Sequence, residues 1–285
     1  MPAPDAPAFY FPIGKGPYRF GAGLHRFGTD FGNGPTDLLF FQTDREAPRY
    51  RRQRARIPTD REAILERDEA DRRIHATVLE WMQDRAVPGE SGGAPAIGVS
   101  SSAREAYARI AAAVQEDFVV LRRSEDGREA YAIAVFVRAP SGWSPEKILG
   151  ASFASIHGPV PGFAEETAQV ASMVASMVER GPYVRFVWTI TADDELDHHP
   201  ETGHRAEWRP DGRGWLRVER QVTVPFPTVG GALFLIRTYL YPFAGLTPPM
   251  RTQLHEALAE MPEEIARYKG LPPTAREIAR GLLLD

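Results

Sequence analysis

A change of hydrophobic period at Gln115 constrains this chain most. Upstream, stretches at about 60–84 and 102–115 repeat at helical spacing; downstream, the apolar residues alternate as in strands. "EDFVVLRR" and "EAYAIAVFVRA" flank the turn "SEDG" and predict a β-hairpin. "PSGWSPEKILGASFASIHG" predicts a helix with Ser144 as N-cap and Pro145 in its first turn, and "EETAQVASMVASMVERG" a second helix ended by Gly181. "YVRFVWTIT", "GWLRVERQVTVPF" and "GALFLIRTYL" add three strands. This order predicts an α+β core over 115–241, one antiparallel five-stranded sheet with helices on one face. Residues 1–114 then form an N-terminal wrapping segment and helices, and 242–285 a C-terminal helical extension, all in one integrated domain. The loop "VPGESGGAPAIGVSSS" carries the first boundary.

Composition narrows the function. Of 285 residues, 43% are hydrophobic, enough for a real core, and a net charge of −4 argues against nucleic acid as a partner. The basic run "RYRRQRARI" is a local exception. It precedes "TDREAILERDEADRR", whose acids and bases alternate at helical spacing, so a salt-bridged surface helix is expected there and not a phosphate track. No stretch reaches the roughly 18–20 apolar residues of a membrane helix, and "MPAPDAPAFYF" lacks the order of a signal peptide, so no membrane partner and a cytoplasmic location are expected. The absence of cysteine excludes disulfides, a cysteine nucleophile, thiolate-ligated haem and any iron–sulfur cluster held by this chain alone.

"FASIHGPVPGF" places His157 on the face of Leu149, Phe153 and Ile156, and its prolines and glycines stop the helix there. An imidazole turned toward a core needs a partner for each nitrogen: a backbone carbonyl, or a metal ion. Met173 and Met177 on the following helix are pliable side chains that could face a flat cofactor or simply fill the core. Alternation in "GWLRVERQVTV" puts Arg220 in an apolar row with Leu216, Val218, Val222 and Val224, and in "GALFLIRTYL" Arg237 lines up with Leu233, Leu235 and Tyr239. A buried guanidinium requires an anion. Internal pairing with Glu219, Glu116 or Asp117 is one account; a cofactor carboxylate or a bound ligand is the other, with Arg185 a third candidate. "DDELDHHPETGH", with His198, His199 and His204, lacks metal-site spacing and reads as a solvated loop, and the glycines at 14, 16, 21 and 23 do not form a dinucleotide fingerprint.

Taken in order, "VQEDFVVLRR", "APSGWSPEKILG", "SIHGPVPG", "RFVWTI", "LRVERQ" and "IRTYL" resemble the signature segments of the haem-dependent oxidative N-demethylase alpha-subunit-like family, over about residues 17–241. The resemblance implies a haem-binding PAS-like fold. It implies oxygen-dependent demethylation of a small secondary methylamine such as dimethylamine, by a chain carrying heme b, with FMN, 2Fe-2S and NADPH on an electron-transfer partner subunit. His157 would be the iron ligand, Arg237 the distal donor to bound oxygen, and Arg220 and Arg185 the partners of the propionates, beside Met173. Glu219 is the expected carboxylate for the substrate ammonium. Val187 stands where the family pattern carries Asn, which removes a polar contact. A haem-PAS gas sensor, or a haem module without turnover, is the alternative.

Overall fold

Almost every residue of two long adjacent strands, β6 (Trp215–Phe226) and β7 (Gly231–Pro242), is buried, so both faces of their sheet must be covered. The computed structural model describes residues 6–14, 23–86, 102–162 and 167–284. The glycine-rich stretch 15–22 and all but Ser102 of the expected boundary loop lie outside them. The hairpin is present as β3 (Asp117–Arg123) and β4 (Ala130–Phe136), turned at Gly127 with φ +72°. With β5 (Tyr183–Thr191) these are the five expected strands. Two strands of two residues each extend the sheet, β1 (His25–Arg26) beside β5 and β2 (Ala63–Ile64) beside β4. The result is an open, antiparallel, seven-stranded sheet in the order β1-β5-β6-β7-β3-β4-β2, not the five strands expected. Two-residue strands are too short to leave a period in the sequence.

The helices occupy both faces, which corrects the one-faced arrangement. Phe118 and Val120 of β3, with Val222, Val224, Leu233 and Leu235, pack under α2 (Glu69–Ala86) and α3 (Ala103–Ala113). Farther along the same face, Leu216, Val218, Tyr239 and Tyr241 pack under α6 (Pro248–Glu260), α7 (Glu263–Tyr268) and α8 (Pro273–Leu284). Val119, Leu121 and Ala232 point the other way, onto a short α4 (Phe153–His157) and onto α5 (Thr167–Glu179), whose Val170, Val174 and Val178 recur every fourth residue. Near the N-terminus, Tyr10 lies 5.4 Å from Tyr239 and 4.7 Å from Phe186, ring to ring.

Local chemistry moved several boundaries. The helix expected from Ser144 is interrupted by Gly150 at φ +77°, and α4 starts only after Ser152, whose side chain accepts the Ser155 N–H at 3.1 Å. The basic run forms α1 (Ala47–Arg54), with Tyr50 and Arg54 buried, so it is not simply a surface helix. The charged stretch after it breaks into a 3-10 turn and β2 before α2 begins, with Asp68 accepting the Asp71 N–H at 2.9 Å. The loop histidines are not solvated: His198 is 2% and His199 4% exposed, bound to Asp193 at 2.9 Å and Glu146 at 3.1 Å. No helix among the described residues is long and apolar enough to cross a membrane.

Candidate functional site

Phe153 anchors α4 in the core and carries His157 one turn later. The His157 Nδ1–H donates to the Phe153 carbonyl at 2.9 Å, and the two rings lie 4.0 Å apart at 32°. That bond sets the neutral tautomer, with the lone pair on Nε2. Burial lowers the His157 pKa, the Phe153 carbonyl partly restores it, and the nearby Arg185 guanidinium lowers it again, so the ring is neutral at pH 7.

Arg185 belongs to the same side of the sheet. Its Nε donates to Gln221 Oε1 at 2.7 Å, its cross-strand partner, and Gln221 Nε2 donates to Glu219 Oε2 at 3.1 Å. Val187 faces Glu219 in register. Burial lowers the Arg185 pKa, and the charges of Glu219 and Tyr268 oppose that shift. Met173 and Met177 of α5 are half-buried against the apolar cluster that holds Phe153. The structure therefore brings together, on the face covered by α4 and α5, a neutral imidazole, a guanidinium, a carboxylate, an amide and two thioethers. The sequence reading missed Gln221, the link between Arg185 and Glu219. Strand alternation places it on the face of Glu219, two residues on.

Arg220 and Arg237 lie on the opposite face, directly across from each other between the two apolar clusters. Their separation from His157 follows from the period of two in β6, because Glu219 and Gln221 point one way and Arg220 the other. Arg237, 1% exposed, spends its donors internally: Nη2 on Asp44 at 2.9 Å, Nη1 on the Thr238 carbonyl at 2.8 Å and Nε on the Gln42 carbonyl at 3.3 Å. It also stacks over Tyr50 at 4.3 Å. Arg220 donates to the Leu39 carbonyl at 2.9 Å. Internal pairing is thus realised for Arg237, with Asp44 in place of the acids named from the sequence. The structure does not bring Arg237 and Arg220 to the side of the sheet that holds His157.

Two other histidines are placed elsewhere. Both nitrogens of His75 are engaged, by Tyr107 Oη at 3.2 Å and the Leu65 carbonyl at 2.8 Å. His25 sits on β1, exposed, edge-on to Phe31. Among the described residues no three His, Asp or Glu side chains converge as a metal site would require.

The family model described as "Haem-dependent oxidative N-demethylase, alpha subunit-like" matches residues 79–279. The chain belongs to this family. The match starts later than the resemblance at 17–241 and runs through α6 and α7 into α8, so the C-terminal helices are part of what this N-demethylase-like family shares. Its name carries haem dependence, oxidative chemistry and an alpha subunit, hence an assembly with other subunits. The donor set around His157 fits haem: a neutral imidazole oriented through Nδ1, thioethers for a flat apolar ring, and a guanidinium for its carboxylates.

Proposed function

We propose that this chain is the haem-binding subunit of an oxygen-using oxidative N-demethylase, a monooxygenase-type enzyme for a small secondary methylamine of the dimethylamine kind. Electrons come from a separate subunit carrying FMN, 2Fe-2S and NADPH. The observation that carries the reading is the His157 imidazole, held neutral by burial and aimed by its bond to Phe153, on the same face as Arg185 and Glu219. The central strand order β5-β6-β7-β3-β4, with α4 and α5 inserted after β4, supports the PAS-like part of it.

Bound haem would supply oxygen activation. The remaining roles fall to the protein. His157 would hold the iron, Met173 and Met177 would cover the apolar ring, and Arg185, on the same side of the sheet, would pair with a propionate. Glu219 anchors the substrate ammonium, and Gln221 keeps that carboxylate apart from Arg185 while hydrogen-bonded to both. Val187, apolar beside Glu219, excludes water from the methyl groups. We assign Arg220 and Arg237 to the structural network on the far face, not to oxygen.

Haem is supplied to the purified chain and its Soret absorption recorded. His157→Ala should abolish stoichiometric haem retention, and His157→Gly should regain the band on addition of imidazole. An unchanged Soret band in His157→Ala would remove the assignment. The internal pairing of Arg237 favours a second reading, a haem module without turnover. Dimethylamine added to the ferric protein decides between them: a spectral shift that Glu219→Gln abolishes supports the enzyme, and no shift supports the module.

A further inference from the structure

Away from His157, the end of β5, the 193–208 loop and the link between α7 and α8 enclose a cavity of about 440 Å³. Arg205 reaches across it. A Cβ built on Gly142 would meet Arg205 Nη2 at 2.6 Å, and one on Gly270 would meet Nη1 at 2.9 Å; the guanidinium therefore lies in a slot that two glycines keep open. Both glycines have positive φ, +87° and +69°. Yet among the described residues this guanidinium makes no hydrogen bond or ion pair. Asp193, the acid whose field it feels, is already used: Oδ1 binds His198 Nε2 and the Glu195 N–H, and Oδ2 accepts the Ala206 N–H. Glu207, the other acid at the cavity, is exposed and does not pair with it.

Other positive groups converge there. Lys269 lines the cavity, its ammonium donating to the Trp188 carbonyl and lying 5.4 Å from the Trp188 ring. Burial pushes its pKa down to about 8, against the pull of Glu219. Arg217, wholly buried and 3.7 Å from Glu219 Oε1 through its Nε, adds positive field to Arg205. The first turn of α8 contributes Thr274 and Ala275 to the wall. Ile190, Leu271 and Ile278 give the wall its apolar part, beside the polar Ser141, Thr189, Thr191 and His198.

We propose that this cavity binds a small organic anion, its carboxylate or phosphate head on the Arg205 fork and its apolar part against Ile190, Leu271 and Ile278. A planar guanidinium held without an internal acid beside an apolar wall is the arrangement that such a head recognises bidentately. None of His157, Met173, Arg185 and Glu219 lines this cavity, and its test needs no haem.

Sodium propionate and sodium phosphate are titrated calorimetrically into the full chain, with sodium chloride at equal ionic strength as control. One or both probes should bind saturably, one per chain, and Arg205→Ala should weaken that binding about tenfold or more. Because Arg205 is exposed and unpaired, its loss should leave the melting temperature unchanged. Lys269→Met, which keeps the buried stem, should weaken it as well. Preference for propionate or for phosphate identifies the head group. Binding that Arg205→Ala leaves intact, or no saturable heat with either probe, would overturn the proposal.

Discussion

At the scale of single residues, burial of charge decides most of what this chain does. Arg220 and Arg237 face each other across β6 and β7, a like-charged pair that would repel were acids not supplied from elsewhere. Asp44 meets Arg237, and Glu116, 1% exposed, lies in the field of both guanidinium groups while burial raises its pKa. Removing one partner of a buried pair strands the other. Asp44→Asn should therefore destabilise the protein by about 3–5 kcal/mol, measured by urea denaturation, whereas Asp44→Leu combined with Arg237→Met should recover much of that loss. The same experiment separates two roles for Arg237: a structural arginine loses stability on replacement but leaves haem uptake intact, and a donor to bound oxygen would change the spectrum of the oxygen-bound protein first. None of this pairing could be read locally, since Asp44 stands far from Arg237 along the chain and nothing in its own surroundings marks it as a partner.

Elements show where sequence patterns carry structure and where they stop. β5 occupies the residues expected of it, and β6 and β7 differ by a residue or two, because apolar alternation along a sheet is a local property. The second face of β6, with Arg217, Glu219, Gln221 and Thr223, is polar in the sequence, yet Arg217, Gln221 and Thr223 are buried. A buried polar row has the same period as one facing water. The candidate site is legible to the same degree: His157, Met173, Arg185 and Glu219 could be named and share a face, but which arginine lies on the histidine's side depends on the placing of α4 and α5. The loop at 193–199 misleads for a different reason, since Glu146 and Gln53 bury it from distant parts of the chain.

The start of α2 provides a test at this scale. Asp71, wholly buried, accepts the Arg67 N–H and Nε–H, both at 2.9 Å, and Arg122 Nη1 at 2.7 Å, and so fastens the helix to β3. Burial alone would raise its pKa, but these hydrogen bonds bring it down to about 2. A carboxyl depressed in the folded state stabilises fully above its unfolded pKa near 4, and that stabilisation is lost as the pH falls through about 2. Asp71→Asn should cost about 1–3 kcal/mol at pH 7. Its penalty should shrink as melting temperatures are recorded from pH 5 down to pH 2, and a penalty independent of pH would show that the charge is not what holds α2.

For the whole molecule the question is whether the helices after β7 are an appendage or half of the core. Leu254, Leu258, Ile265, Leu271, Ala279 and Leu283 are each 3% exposed or less, and they close over Trp188, Leu216, Val218, Tyr239 and Tyr241 on the sheet. Burial of a leucine or isoleucine is worth about 1.5–3 kcal/mol, so these helices supply stabilisation comparable to the net stability of a whole domain, about 5–15 kcal/mol. Residues 8–13 tie into the same cluster, with Tyr241 Oη donating to the Ala8 carbonyl at 2.8 Å and the Gln253 side-chain amide donating to the Ile13 carbonyl at 2.5 Å. Residues 8–13 and the helices after β7 thus close one face of one sheet. A chain ending at residue 246 should be insoluble or bind a hydrophobic dye without a cooperative melting transition, and the full chain should unfold in a single calorimetric step. A soluble, cooperatively melting 1–246 fragment that still takes up haem would make the C-terminal helices a separable extension.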